Sequence, residues 1–237
     1  MHQSLVYLKM SAIMLLKRPS LHTLFSICRD YRNWSTHLDN SNSVRDQIPW
    51  ISFSAIRYLE SILTPEMKVF EYGSGGSTIF WGKRVKQVIS VEHDLGWYNK
   101  MKNELSRLNM LNVEYSLAQA SKDLIPAARN PGNPEDYASS DPAFSGQNFE
   151  AYVKTIDKFP DASFDIIIVD GRARPSCIKH SMPKLKTKGC LIVDNSERGY
   201  YLKPFDFDSS NWEIRKFAGP VPYVINFSET TVLKKLY

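Results

Sequence analysis

The sequence predicts an α/β fold: a seven-stranded, mostly parallel sheet with a C-terminal antiparallel strand pair and an N-terminal helical cap. Three observations predict it. Strand-length apolar runs alternate with helix-length segments from Met67 to Asn195, the pattern of parallel strands joined by right-handed crossovers. The unbroken run Ile166-Ile167-Ile168-Val169 suits a central strand buried on both faces. Two further strand-like pieces, NWEIRKFAG and ETTVLKKL, follow the last parallel strand and are joined through Pro220 and Pro222, close enough to pair antiparallel.

In chain order, residues 1–48 mix short apolar stretches with the polar stretch THLDNSNSVRDQ and read as a helical extension, with the main domain spanning 49–237. Ile51, Phe53, Ile56, Leu59 and Leu63 fall at helical spacing, and Thr64-Pro65 ends that helix. MKVFEYG carries the first strand, KQVISVEHD the second and LNVEYSLA the third, with the helical segment LGWYNKMKNELSRLN between the last two. Asn130 to Phe149 is rich in Pro, Gly, Ser and Asp, too irregular for a crossover helix, and is a candidate lid. FDIIIVDG is the fourth strand, Cys177–Leu185 a helix and GCLIVDN the fifth strand. Together these elements describe a Rossmann-like sheet.

Composition narrows the class. With 237 residues, 43% hydrophobic and 23% charged, the chain can bury one substantial core and is neither disordered nor membrane-embedded. A net charge of +5, with clusters at Lys184/Lys186/Lys188 and Lys234/Lys235, fits a solvated basic face better than a nucleic-acid partner. Cys28, Cys177 and Cys190 form no metal-ligand spacing and read as thiols of a reducing, cytoplasmic compartment. The run MSAIMLL is far shorter than the roughly 20 apolar residues of a transmembrane span and lacks the features of a secretory signal. It is expected to form an amphipathic helix packed on the domain, and a homo-oligomer is left open.

The strongest local signal is Glu71-Tyr72-Gly73-Ser74-Gly75-Gly76-Ser77, a glycine turn between strand and helix that lets backbone approach a ligand at the carboxyl edge of the sheet. Glu92 ends the next strand, twenty-one residues after Glu71, a spacing that suits an acid on a ribose hydroxyl pair. An acid directly before the turn would repel a pyrophosphate but accept from an ammonium, and GSGGST lacks the G-x-G-x-x-G register of dinucleotide sites. A nucleoside with a cationic tail fits best.

On these residues the chain, from Ile51 onward, resembles the class I S-adenosylmethionine-dependent methyltransferases. EYGSGGST is similar to their first motif, VEHD to their second acidic strand end, and the terminal pair to their reversed strands. The resemblance implies S-adenosylmethionine held by Glu71, Gly73, Ser74, Gly75, Ser77, Glu92, His93 and Asp170, with adenine contacts at Ala120-Ser121-Lys122-Asp123. Asp170 and Asp194-Asn195, at adjacent strand ends, form an oxygen set that suits Mg²⁺. That set resembles the metal-dependent O-methyltransferases of the catechol, caffeoyl-coenzyme A and macrolide sugar type, and a cation there would activate and aim a hydroxyl. The lysine those enzymes carry three residues after the first Asp is Ala173 here.

Catalytic candidates are therefore Asp170, Arg172 and His180, with Arg172 and Arg174 gripping a substrate anion or tying down their own loop. His180 is read either as a base or as a structural helix residue. The expected activity is methyl transfer to a hydroxyl of a small molecule with divalent metal assistance. Alternatives are a metal-independent small-molecule methyltransferase and a non-catalytic Rossmann-like binding module. Transfer to an amide or adenine nitrogen is disfavoured, because the Asn/Asp-Pro-Pro-aromatic motif is replaced by Asp170-Gly171-Arg172.

Overall fold

The computed structural model describes residues 3–38, 41–122 and 129–237. Five parallel strands, β1 (Lys68–Tyr72), β2 (Gln87–Glu92), β3 (Val113–Leu117), β4 (Phe164–Val169) and β5 (Leu185–Val193), are followed by β6 (Trp212–Gly219) and β7 (Ser228–Lys235). The strand order is β3-β2-β1-β4-β5-β7-β6, with β7 antiparallel to both neighbours. Because the chain steps from β1 outward to β3 and then crosses back to β4, the β1/β4 boundary is a switch point, where a crevice opens at the carboxyl ends. Val69, Ile166 and Ile168 face one core and Phe70, Ile167 and Val169 the other, the two-sided burial expected of central strands.

The helices are α1 (Gln3–Lys17), α2 (Leu21–Leu38), α3 (Ser43–Asp46), α4 (Phe53–Ile62), α5 (Gly76–Gly82), α6 (Leu95–Arg107), α7 (Glu150–Val153) and α8 (Arg174–Lys184). Ser52 caps α4 and Asp94 caps α6, each accepting a backbone N–H from the first turn. The α8 helix starts earlier than its apolar pattern suggests, because Pro175 is preorganised for a first helical turn. Likewise β5 begins at Leu185 rather than Gly189, through an irregular register against β4 between Phe164 and Ile166.

Residues 3–38 share a core with the sheet. Tyr7, Trp34 and Phe227 pack ring to ring, and Trp34 Nε1 donates to the Val224 carbonyl at 3.1 Å. Arg57 makes a two-pronged pair with the fully buried Asp30 at 2.6 and 2.8 Å, and Arg18 pairs with the buried Glu229. Further along, α3 lies on the start of α5 so closely that a Cβ on Gly76 would stand 1.9 Å from the Ser43 carbonyl oxygen. The N-terminal part thus reaches the glycine turn itself.

Candidate active site

The turn after β1 is shaped by backbone contact across the switch point. Gly73 has φ +89, and a Cβ there would come within 3.0 Å of Gly171 Cα, so two chain segments meet where no side chain fits. Its N–H donates to the Val91 carbonyl at 3.0 Å, while the Asp170 N–H donates to Tyr72 at 3.1 Å, extending the ladder past both strand ends.

The two acids of the cofactor motif have opposite environments. Glu92 accepts from the Ser74 N–H (3.1 Å) and hydroxyl (2.9 Å) on one oxygen, and from the N–H groups of His93 (2.7 Å) and Asp94 (3.0 Å) on the other. Burial by itself would raise its carboxyl, but the adjacent His93 ring and these N–H groups outweigh it and hold the pKa at about 2. It stands as a fixed anion at the β2 edge beside the turn.

Glu71, by contrast, is fully buried beneath the turn. Thr78 and Ser90 hydroxyls donate to one oxygen at 2.6 and 2.7 Å, and Trp81 Nε1 donates to the other at 3.2 Å. Burial pushes its pKa up to about 7 against the hydrogen bonds from Ser77, Thr78, Ser90 and Trp81. The structure therefore places Glu71 as a brace between β1, β2 and α5, where sequence reasoning expected an acid facing a methionine amine. Ser74 is drawn further into the site by Tyr115, whose hydroxyl lies 2.7 Å from its own, and by Trp97 Nε1, which donates to its carbonyl at 2.9 Å. Gly75 is the N-cap of α5 and Ser77 lies in its first turn.

His93 sits among Phe144, Phe149 and Tyr152, and Arg172 reaches it with Nε 3.4 Å from Nε2. Arg172 also pairs with Asp141 at 2.9 Å and lies over the Phe144 ring. The irregular segment Asn130–Phe149 is thus fastened down beside the β2 and β4 ends. Ser121 and Lys122 pair with Asn148 and Gln147 in a small antiparallel ribbon, and Asp123 lies outside the described residues.

At the β4 and β5 ends the expected metal set is arranged differently. Arg174, itself buried, donates Nη2 to Asp170 Oδ1 at 3.0 Å and to the Asp170 carbonyl at 3.1 Å, Nε to the Gly171 carbonyl at 3.0 Å, and Nη1 to the Asp194 carbonyl. Asp194 is buried and accepts from the Thr230 hydroxyl of β7 at 2.7 Å. Burial and then Asp170 raise its carboxyl above the usual aspartate range, against the pull of Arg174. A guanidinium thus already ties the ends of β4 and β5 together, through the Asp170 side chain and the Asp194 carbonyl. No group of three or more His, Cys, Asp or Glu among the described residues could hold a metal ion. His180 is turned to Asp157, with Nδ1 2.8 Å from its carboxylate, and is absent from the cavity described next.

That cavity, about 460 Å³, opens beside Asp170, Asp194 and Asn195 and is completed by Trp50, Arg198 and the segment linking β6 to β7. The β6–β7 linking residues carry no sequence motif and escaped sequence reasoning. Arg174 follows the loop-fastening alternative of the sequence reading, on Asp170 and the Gly171 and Asp194 carbonyls. Trp50 lines this cavity, whereas Trp97 lies against the Ser74 turn and Phe144 against His93.

Solved structures share this fold at low sequence identity. SMU.1697c from Streptococcus mutans, assigned as a methyltransferase and solved with S-adenosylhomocysteine, matches with a TM-score of 0.55 and 14% identity, over 80% of this chain and 99% of that one. An rRNA methylase from Streptococcus thermophilus matches at 0.54 and 17% identity, over 80% and 98%. The O-methyltransferase TomG from Streptomyces achromogenes, involved in tomaymycin synthesis and solved with S-adenosylmethionine, matches at 0.53 and 13% identity, over 88% and 99%. No family model matches the sequence, and no curated protein is significantly similar to it. The fold is the α/β Rossmann-like fold of class I methyltransferases.

Proposed function

We propose that this chain is an S-adenosylmethionine-dependent methyltransferase acting on a hydroxyl of a small molecule, without a bound divalent ion. The observation that carries the reading is the Glu92 carboxylate, held by four N–H and hydroxyl donors beside the Gly73–Gly75 turn, at a switch point where a side chain on Gly73 or Gly171 would collide with its surroundings. Such an acid suits a ribose diol, and such a turn suits close backbone approach to the rest of a nucleoside. When bound, S-adenosylmethionine supplies an electrophilic sulfonium methyl.

The protein's own residues do the remaining work. Glu92 and the Ser74 turn hold the nucleoside, while His93, Phe144 and Arg172 shield that end from water. Arg174 fixes Asp170 and the start of the Asp194 loop relative to each other, so the acceptor meets a rigid wall. Asp170, at the cavity edge beside the Gly73 turn, receives the proton of the acceptor hydroxyl. The acceptor cavity, about 460 Å³, mixes Asp170, Asp194 and Glu197 with Arg198 and lacks the cationic surplus that a polyphosphate chain would need. This favours a small neutral or cationic acceptor over RNA.

Calorimetric titration with S-adenosylhomocysteine tests the reading, with saturable binding expected. Absence of binding to folded protein would leave the non-catalytic module as the better account.

A further inference from the structure

The α1–α2 hairpin presents a surface that the proposed activity does not use. The inner faces of both helices are buried: Val6, Tyr7, Ser11 and Met14 on α1, and Thr23, Ser26, Ile27, Asp30 and Trp34 on α2. Helical geometry puts Leu5, Leu8, Ala12 and Leu16 on the opposite stripe of α1, and Leu21, Phe25 and Cys28 on the opposite stripe of α2. Those stripes should be polar if water covered them. Instead Leu5, Leu8, Leu16, Leu21 and Phe25 are each 60% or more exposed. A helix that is apolar on both faces implies a second apolar neighbour.

Charge selects that neighbour. Lys9, Lys17, Arg29 and Arg32 are exposed on the same hairpin. Asp30 is the one acid among residues 3–38, and it is fully buried against Arg57. The outer face therefore combines an apolar ridge with uncompensated positive charge. A second copy docked on it would bring like charges together, and a nucleic acid would leave the leucines and the phenylalanine unmatched. An anionic bilayer surface satisfies both features, taking the side chains at the acyl boundary and the cations among its headgroups. No helix among the described residues is long and apolar enough to cross a membrane, so the contact would be peripheral.

We infer that the α1–α2 hairpin is a peripheral docking face for anionic lipid membranes, with Leu8, Leu16, Leu21 and Phe25 as its apolar ridge. The inner side of the hairpin, opposite this ridge, borders the acceptor site through Val224 and Asn226. These two residues line the acceptor cavity and also a second cavity with Val6 of α1 and Trp34 of α2.

Co-sedimentation with vesicles of phosphatidylcholine, with and without about one third phosphatidylglycerol, tests the inference. Binding should appear only with phosphatidylglycerol and weaken as salt rises. The double variant Leu16→Glu/Phe25→Glu should lose at least tenfold in partitioning, and Lys9→Glu/Arg29→Glu a similar factor. Because these side chains point outward, circular dichroism, melting temperature and S-adenosylhomocysteine affinity should match the parent protein. That control separates failure here from failure of the methyltransferase reading. Equal binding to neutral vesicles, no binding to either, or a dimer in light scattering that the Leu16→Glu/Phe25→Glu variant abolishes would overturn the inference.

Discussion

Replacing Glu92 by Gln probes the cofactor half of the site most directly, because the structure fixes every donor around its carboxylate. One oxygen receives two backbone N–H groups that cannot reverse polarity, from His93 and Asp94, and lies 2.7 Å from His93 Nδ1, and the other receives the N–H and hydroxyl of Ser74. A glutamine satisfies the first pair with its carbonyl and must then point its NH₂ at the Ser74 N–H. One mismatched buried donor pair costs about 1–3 kcal/mol of stability. The substitution also removes the anion, and with it the charge-assisted bonds to a ribose diol, worth about 1.5–3 kcal/mol, or roughly 10- to 150-fold in affinity. Paired measurements separate the two effects: urea denaturation for stability, and S-adenosylhomocysteine titration well below the melting transition for affinity. Ser74→Ala is the control, since it deletes one hydroxyl donor to Glu92 and leaves the charge. If folded Glu92→Gln protein binds S-adenosylhomocysteine within threefold of the parent, Glu92 is not the ribose acid and the placement of the nucleoside is wrong.

Glu71 gives a pH signature of opposite sign to an ordinary acidic salt bridge. Its folded pKa, raised from 4.5 to about 7, means the native state holds the proton more tightly than the unfolded chain. Stability from this group is complete below about pH 4.5 and falls by roughly 3 kcal/mol as pH rises through 7. Glu71→Gln should flatten that slope in denaturation curves at pH 5 and 7.5, and an unchanged slope would show that other groups cause it. Gly171→Ala should destabilise by about 1–3 kcal/mol in the same assay, because the new methyl would lie 2.0 Å from the buried Tyr152 hydroxyl. A stability equal to the parent would mean that Tyr152 moves freely. For the β4–β5 ends, electron paramagnetic resonance should detect no specifically bound Mn²⁺, and chelator should leave S-adenosylhomocysteine affinity unchanged. A stoichiometric Mn²⁺ signal would show that Arg174 yields to a metal.

Most of the sheet was legible because its signals are local and periodic. Ile166-Ile167-Ile168-Val169 can lie buried on both faces only in a central strand, and Gly73 before a helix start announces a turn that no side chain could occupy. The terminal antiparallel pair was legible for the same reason, two strand-length runs with a proline-bearing link. What could not be read was which way polar side chains point. Glu71 and Glu92 look equivalent in sequence, yet one is sealed under α5 by Thr78, Ser90 and Trp81 while the other faces the turn. That difference depends on the register of β1 against β2, which pairs Glu71 with Ser90.

The acceptor half shows the same limit more sharply. Asp170, Asp194 and Asn195 match a metal-binding pattern by type and strand position, and type and position are all that sequence offers. Arg174 and Thr230 supply the partners of these acids, one by turning back from the first turn of α8, the other from a strand that becomes a neighbour only through the reversed β7. A buried guanidinium bound to three carbonyls and a carboxylate is held by the β4 and β5 ends, and removing it would leave Asp170 without its charge partner and three carbonyls short of a donor. Its positive charge is thus committed to the architecture, whereas a divalent ion's would be shared with the substrate. An acceptor here must be positioned by the cavity walls, Trp50 and the β6–β7 segment, whose sequences are free to vary without disturbing the sheet. Acceptor specificity is therefore expected to reside in Trp50, Val221, Val224 and Asn226, outside every motif that identifies the fold.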